Sequence, residues 1–181
     1  MRIISGQFKG RKIQAPKQLP VRPTTDMAKE ALFNILNNRY YFDDISVLDL
    51  FSGTGNISYE FASRGTENIL AVDANFGCIK FINKTAEDFD MPIKTVKSDV
   101  FKFLENSKQQ FTIIFADPPY DFGLEAFAKI PEFVFNNKLL EEDGLLIVEH
   151  SKHTDLSKLD YYNLSKSYGG NTFSFFEAAK K

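Results

Sequence analysis

The chain has 181 residues, of which 43% are hydrophobic and 14% aromatic, with 19 Phe, 7 Tyr and no Trp. This is about one domain's length, with enough apolar material to bury roughly 70% of the surface exposed by the unfolded chain, which excludes a disordered tail. The net charge of -2 is unevenly spread: residues 1–30 hold seven bases (Arg2, Lys9, Arg11, Lys12, Lys17, Arg22, Lys29) and two acids (Asp26, Glu30), a balance of +5, while the other 15 bases and 22 acids make -7.

A basic arm on an acidic body suits a polyanion-binding segment beside a pocket for a neutral or cationic ligand, and equally a hairpin that is merely solvated. The first residues interleave charges with apolar side chains and lack a continuous apolar stretch, so no secretory signal is expected. Apolar runs such as 145–148 fall far short of the ~20 residues that span a bilayer. The single cysteine, Cys78, cannot form an internal disulfide, which fits a reducing compartment. The expectation is a soluble cytoplasmic protein.

Ile3, Ile4, Phe8 and Ile13, with Gly6 and Gly10 between them, predict a short hairpin. A loop punctuated by Pro16, Pro20 and Pro23 follows. Ala28, Ala31, Leu32, Ile35 and Leu36 recur at helical spacing behind Thr25 or Asp26 as a cap, predicting a helix over about 25–39. Strands are then predicted at 45–50, 68–73, 93–97, 111–116 and 144–149. They alternate with helices near 56–64, 75–89, 99–106 and 123–136, the last interrupted by Pro131. Nearly continuous apolar strands separated by helices belong to a parallel sheet covered on both faces. The tail, YYNLSKSY and TFSFFEA around Gly169-Gly170-Asn171, reads as an antiparallel hairpin.

Val47 to Asn56 (VLDLFSGTGN) runs from a strand end through two glycines, Gly53 and Gly55, into a helix, so its backbone can turn tightly beside a ligand. Ser58 stands where the dinucleotide fingerprint needs a third glycine. Asp49 at the strand end would repel a phosphate but could meet an ammonium or sulfonium group. Asp73, ending the next strand, can accept ribose hydroxyls or cap the helix that begins near Asn75. Asp99 can cap the helix at Val100 or, with Ser98, lie near an adenine amino group. Three acids at the ends of successive strands outline an elongated nucleoside pocket.

Phe115-Ala116-Asp117-Pro118-Pro119-Tyr120 follows the fourth strand. The prolines fix their own φ and bias each preceding residue toward extended backbone, leaving carbonyls pointing outward. The Asp117 carboxylate and the Pro118 carbonyl can then accept hydrogen bonds from one NH2 group, and Tyr120 offers a face for stacking. A rigid strand-to-helix turn with a capping Asp accounts for the prolines but not for the tyrosine.

Together, the 49–56 loop, Asp73, Asp99 and Asp117-Pro118-Pro119-Tyr120 resemble the motif set of class I S-adenosylmethionine-dependent methyltransferases that act on amino nitrogens. Met1 to Gly6, Gly10-Arg11-Lys12-Ile13, Arg22-Pro23-Thr24-Thr25-Asp26 and Glu30 to Asn34 narrow the resemblance to the RsmD family of guanine-N2 methyltransferases of small-subunit (16S) ribosomal RNA. The resemblance runs nearly the whole length. Ser52 and Ser58, where the family usually has Ala and Gly, and Asp73, where it often has Glu, depart from the pattern.

The resemblance implies an α/β, Rossmann-like fold with a mostly parallel seven-stranded sheet, a C-terminal antiparallel hairpin, and an N-terminal β-hairpin arm (1–24) on a methyltransferase domain (25–181). It implies S-adenosylmethionine held by Asp49, Phe51, Gly53, Gly55, Asp73, Ser98 and Asp99, with Asp117, Pro118 and Tyr120 presenting the amine. Arg2, Lys9, Arg11, Lys12 and Arg22 would contact RNA phosphates, or Arg22, Thr24 and Thr25 would close over the substrate side of the pocket. A monomer acting on ribosomal RNA or the small subunit, without metal or membrane, is expected. His150, His153 and Cys78 form no ligand cluster in the sequence, and both histidines are expected on an exposed edge. Asp-Pro-Pro-Tyr alone would also suit adenine N6, cytosine N4 or a glutamine side chain. A nucleotide-dependent oxidoreductase is disfavoured by the missing glycine and Asp49. A non-catalytic RNA-binding module leaves the diproline motif without a task.

Overall fold

The computed structural model of the protein describes residues 1–22 and 24–179; Pro23, part of the proline loop and of the Arg-Pro-Thr-Thr-Asp block, lies outside them. Helix α1 (Asp26–Asn37) starts where the Thr25 side chain accepts the Ala28 N–H, with Asp26 in the electropositive first turn. It is followed by β1 (Ser46–Leu50), α2 (Asn56–Ser63), β2 (Asn68–Asp73), α3 (Phe76–Asp88), β3 (Ile93–Lys97), α4 (Val100–Asn106) and β4 (Phe111–Ala116). α5 (Leu124–Asn136), β5 (Leu140–Ser151), β6 (Tyr162–Tyr168) and β7 (Asn171–Phe176) complete the chain.

The strands form one sheet in the order β3-β2-β1-β4-β5-β7-β6. The first five are parallel, and β7 enters antiparallel between β5 and β6. Neighbouring residues of a strand face opposite sides. Val47, Ile69, Ile113 and Ile147 therefore join the layer containing Leu32, Phe33, Ile57, Phe61 and Ile82 from α1, α2 and α3. Leu48, Val72, Ile114 and Val148 join the other, with Val100, Leu104, Phe127, Ile130 and Val134 from α4 and α5. Both faces of the central strands are dry, which is why those strands read as unbroken apolar runs.

Four details differ from the sequence reading. Helix α5 runs on through Pro131. The proline forgoes the one N–H that would reach the Phe127 carbonyl, and burial of Phe127, Ile130 and Val134 on the sheet holds the helix together. Strand β5 begins at Leu140, four residues early, because Leu140 already pairs with Phe111, and the exposed polar residues 141–143 are taken up in a register shift before Leu145 pairs with Ile113. The C-terminal turn is Gly169-Gly170, and Asn171 already pairs with Tyr168.

The N-terminal hairpin is reduced to one bridge, Arg2 with Lys12, supported by Ile3 N–H to Arg11 O at 2.9 Å and Ile13 N–H to Met1 O at 2.9 Å. Ile3 and Ile13 are buried in the same layer as α1 and α2. At Gly6 (φ +84°), an added Cβ would come within 1.9 Å of the Ser63 carbonyl oxygen. Only glycine lets the arm lie so close to the end of α2.

Candidate active site

Strand order reverses between β1 and β4, and ligands of open α/β sheets bind beyond the carboxyl ends of strands at such a point. A crevice of about 520 Å³ opens there. Its floor is the turn after β1, where Phe51 (φ +54°), Gly53 (φ +53°) and Gly55 (φ +88°) all adopt left-handed backbone. A left-handed Phe is strained, and such strain gathers at functional sites. A Cβ on Gly55 would sit 2.8 Å from the Tyr59 ring, so that glycine shapes the turn from behind and does not line the crevice.

Asp73 clamps this floor. One of its oxygens accepts the Gly53 N–H at 2.9 Å and the other the Asn75 N–H at 2.8 Å. The cap of α3 is Asn75, whose side chain accepts the Cys78 N–H. Asp99 does cap α4, accepting the Lys102 N–H at 3.0 Å, and it also lines the crevice. Asp49 is buried beneath, and the Ser58 hydroxyl donates to it at 2.6 Å. Burial foremost pushes its carboxyl up to about 7, the Ser58 hydrogen bond opposing and the Asp73 charge adding to the rise.

Asp117 continues the line of β4, its N–H reaching the Leu50 carbonyl at 3.4 Å. Burial, then the charges of Glu149 and Asp49, hold its carboxyl well above the usual range, with Arg22 pulling the other way. Glu149 is 5% exposed and accepts the Thr24 hydroxyl at 2.7 Å and the Asn171 amide at 2.8 Å. Burial lifts it to about 7 against those hydrogen bonds. Tyr120 is 61% exposed at the rim, with the Arg22 guanidinium 5.1 Å from its ring centre. Phe122 packs edge-on against Phe51 at 5.5 Å, joining the diproline corner to the glycine turn.

The fold thus brings Asp49, Phe51, Gly53, Asp73, Asp99, Asp117, Pro118, Tyr120, Arg22 and Thr24 around one crevice. Other expected residues stand apart. Ser98 does not line it, and its hydroxyl turns to the Asp99 carbonyl. Thr25 is spent on the cap of α1. Lys9, Arg11 and Lys12 are exposed on the arm, with Arg11 over the Phe89 ring, and Arg2 pairs with Asp26 at 3.1 Å.

Lys29, counted among the arm's bases, is 1% exposed and faces inward, bonded to Asn56 at 2.8 Å and paired with Glu60 at 3.5 Å. Desolvation lowers its pKa. His150 is buried within β5, not on an exposed edge, because that strand extends to Ser151. Glu149 was missed, although an acid ending the apolar run 145–148 repeats the pattern of Asp49 and Asp117.

The crevice fits S-adenosylmethionine. The buried Ser52 hydroxyl on its wall has no partner within the described residues and is free for a polar ligand atom. Asp49 and Asp117, both of raised pKa, line the crevice together with Asp73 and Asp99, and among the described residues Arg22 is the one cationic side chain on its wall, an environment that favours a positively charged ligand.

Residues 1–177 match the family described as Conserved hypothetical protein 95. The Bacillus subtilis (strain 168) protein YlbH, provisionally named an rRNA methyltransferase, is 34% identical over 162 residues, covering 86% of this chain and 85% of that one. Ribosomal RNA small subunit methyltransferase D of Escherichia coli (strain K12) is 30% identical over 150 residues, covering 82% and 74%. The solved structure of a hypothetical protein of Thermus thermophilus superposes with a TM-score of 0.84 at 26% identity, over 98% of this chain and 99% of that one. A family match across nearly the whole chain, on a sheet of this strand order, makes the protein a member of the RsmD family of class I S-adenosylmethionine-dependent methyltransferases.

Proposed function

We propose that the protein methylates the N2 amino group of a guanine in small-subunit ribosomal RNA. The observation that carries this reading is the opening of the Asp117-Pro118 corner onto the same crevice as the glycine turn and Asp73. The names of the ribosomal RNA methyltransferases among its relatives supply the substrate class.

S-adenosylmethionine supplies an electrophilic methyl carbon. In this reading Asp49 faces the methionine ammonium group, Asp73 the ribose and Asp99 the adenine. Guanine N2 is a weak nucleophile because its lone pair is delocalised into the ring. Asp117 and the Pro118 carbonyl hold its two hydrogens so that the lone pair turns toward the methyl carbon. Positioning of this kind can supply about 7–11 kcal/mol of barrier reduction. The methyl group would come from S-adenosylmethionine, which would leave as its neutral thioether, and the amine's surplus proton passes to the Asp117 carboxylate.

The base must leave its stack, which costs a few kcal/mol, and stacking on Tyr120 recovers part of that. Lys9, Arg11 and Lys12 hold the RNA backbone from the N-terminal arm (residues 1–24), with Arg22 and Thr24 closing the substrate side of the crevice. The protein acts as a cytoplasmic monomer. Among the described residues no helix is long and apolar enough to cross a membrane.

The test is nucleoside mass spectrometry of ribosomal RNA from cells with and without the protein. One N2-methylguanosine should disappear from the small subunit in its absence and return when purified protein and S-adenosylmethionine are added. An unchanged nucleoside profile overturns the reading.

A further inference from the structure

The diproline corner has a second side. Asp117, Pro118 and Tyr120 also wall a recess of about 20 Å³, closed by Phe127, Glu149 and His150. That is room for a water-sized group, and so for the edge of a ring rather than a whole ring. Ala116 lies opposite Val148 on the parallel strands β4 and β5, which makes Asp117 and Glu149 the next residues on adjoining strands.

Glu149 is built in with care. Its two oxygens each accept one hydrogen bond from a neutral donor, Thr24 or Asn171. No cation lies within ion-pair distance of it among the described residues. Neutral donors orient a buried carboxylate without neutralising it, an arrangement that destabilises the fold and recurs at functional sites. Each carboxylate oxygen has a second lone pair, and the recess is where those can be met. His150 cannot take this part, because its Nδ1 is held by the Ser151 carbonyl at 2.8 Å and its Nε2 by the Ser174 hydroxyl at 2.7 Å.

Guanine presents three N–H bonds along one edge, two on N2 and one on N1. In adenine the ring nitrogen beside the amine carries a lone pair instead. Asp117 and Pro118 account for two acceptors, and any purine or pyrimidine amine satisfies them equally. A third acceptor beside them matches guanine alone.

We propose that Glu149 selects guanine at this corner by accepting its N1–H while Asp117 and Pro118 hold N2. The proposal rests on the reading of the corner as a guanine-N2 site and names the residue that makes it one. A carboxylate facing the N1 lone pair of adenine would be repelled and left unpaired, a mismatch that sites built around an N–H donor reject strongly.

The experiment compares small-subunit RNA carrying guanine at the mapped position with the same RNA carrying 2-aminopurine, which keeps the 2-amino group but has a lone pair at N1. The unmodified protein should favour guanine in kcat/KM by about 100-fold or more. Glu149→Gln should cut that preference by about tenfold or more, with S-adenosylhomocysteine affinity unchanged as a check on folding. The Gln amide can keep both neighbours, since the Thr24 hydroxyl can accept as well as donate and the Asn171 amide can turn.

A second measurement needs no variant. Guanine preference should fall between pH 8.5 and 6, as the Glu149 carboxyl, pushed up to about 7, gains a proton. Asp117 and Asp49 beside it are raised too, Arg22 opposes the rise, and His150, lowered by burial, stays neutral through most of that range. No methylation of guanine RNA by the unmodified protein overturns the function itself. Guanine methylation with the same preference in Glu149→Gln and at all pH values overturns only the role of Glu149 and leaves Asp117 to read both nitrogens.

Discussion

The Ser58 hydroxyl donates a 2.6 Å hydrogen bond to the Asp49 carboxylate, tying the first turn of α2 to the end of β1. Asp49 is otherwise buried, and this donor is what favours its ionised form against desolvation. Ser58 thus gives this chain a side chain that tunes the acid beneath the crevice.

Ser58→Ala should therefore weaken cofactor binding. A hydrogen bond to a charged group contributes about 1.5–3 kcal/mol, so S-adenosylhomocysteine affinity at pH 7.5 should drop about 10- to 100-fold by calorimetry. Unchanged affinity would show that Asp49 does not meet the ligand in its charged form.

Stability and affinity should respond to pH in opposite directions. The folded pKa of Asp49 and of Glu149 is raised to about 7, from ordinary values of 3.8 and 4.5. The folded state thus binds more protons than the unfolded state between about pH 4 and 7. Their favourable contribution is complete below the ordinary values and is lost as pH rises through 7. The ligand-free protein should melt at a lower temperature at pH 8.5 than at pH 6. A cationic ligand requires ionised Asp49, so its affinity should fall by up to about tenfold per pH unit below 7. Parallel trends in melting and binding would contradict this account.

Asp117→Asn should separate function from stability. Removing the acid eliminates the proton acceptor, and methyl transfer should fall by about 100- to 10,000-fold. It also removes a buried carboxyl repelled by Glu149 and Asp49, so melting at pH 8 should rise while cofactor affinity is retained. An active Asn variant would take proton transfer away from Asp117.

Gly6→Ala should detach the arm. The added methyl group would meet the Ser63 carbonyl at 1.9 Å, and the backbone there is left-handed. The hydrogen bonds from Gln7 N–H to Ser63 O at 2.7 Å and from the Ile4 and Ser5 N–H groups to Glu60 should open. Hydrogen exchange at residues 3–13 reads this directly, and full protection in the variant would refute it.

The basic residues of the first 30 positions should divide into two kinds. Reversing Arg11 and Lys12, both exposed, should weaken RNA binding and flatten its salt dependence by about one unit of slope for each phosphate no longer neutralised. Lys29→Met should leave that slope intact and destabilise the fold by about 1–3 kcal/mol, because the Asn56 side-chain oxygen loses its buried donor while Glu60 keeps Arg64 at 2.9 Å. Filter binding over a salt series and thermal melting distinguish them.

Strands β2, β3 and β4 occupy the positions read from the sequence because β2 and β4 are compact apolar runs and β3 is a short β-branched stretch flanked by polar residues, and pattern and length are local properties. The glycine turn, the acids at the strand ends and the diproline corner were legible for the same reason: their chemistry is written in adjacent residues. Pairing across the chain was not legible. Burial of Lys29 depends on Glu60 and Asn56, and the placement of Glu149 depends on Thr24, 125 positions away, and on Asn171. His150 is interior because β5 runs on past it and Phe127 of α5 and Ser174 of β7 pack around its ring. The sequence by itself determined the class of fold and the chemistry available at its edge, since hydrophobic period and turn residues act over a few positions. Only the tertiary structure decided which charges face water, which face one another and which third acceptor stands beside Asp117, since those follow from which distant strands and loops exclude solvent together.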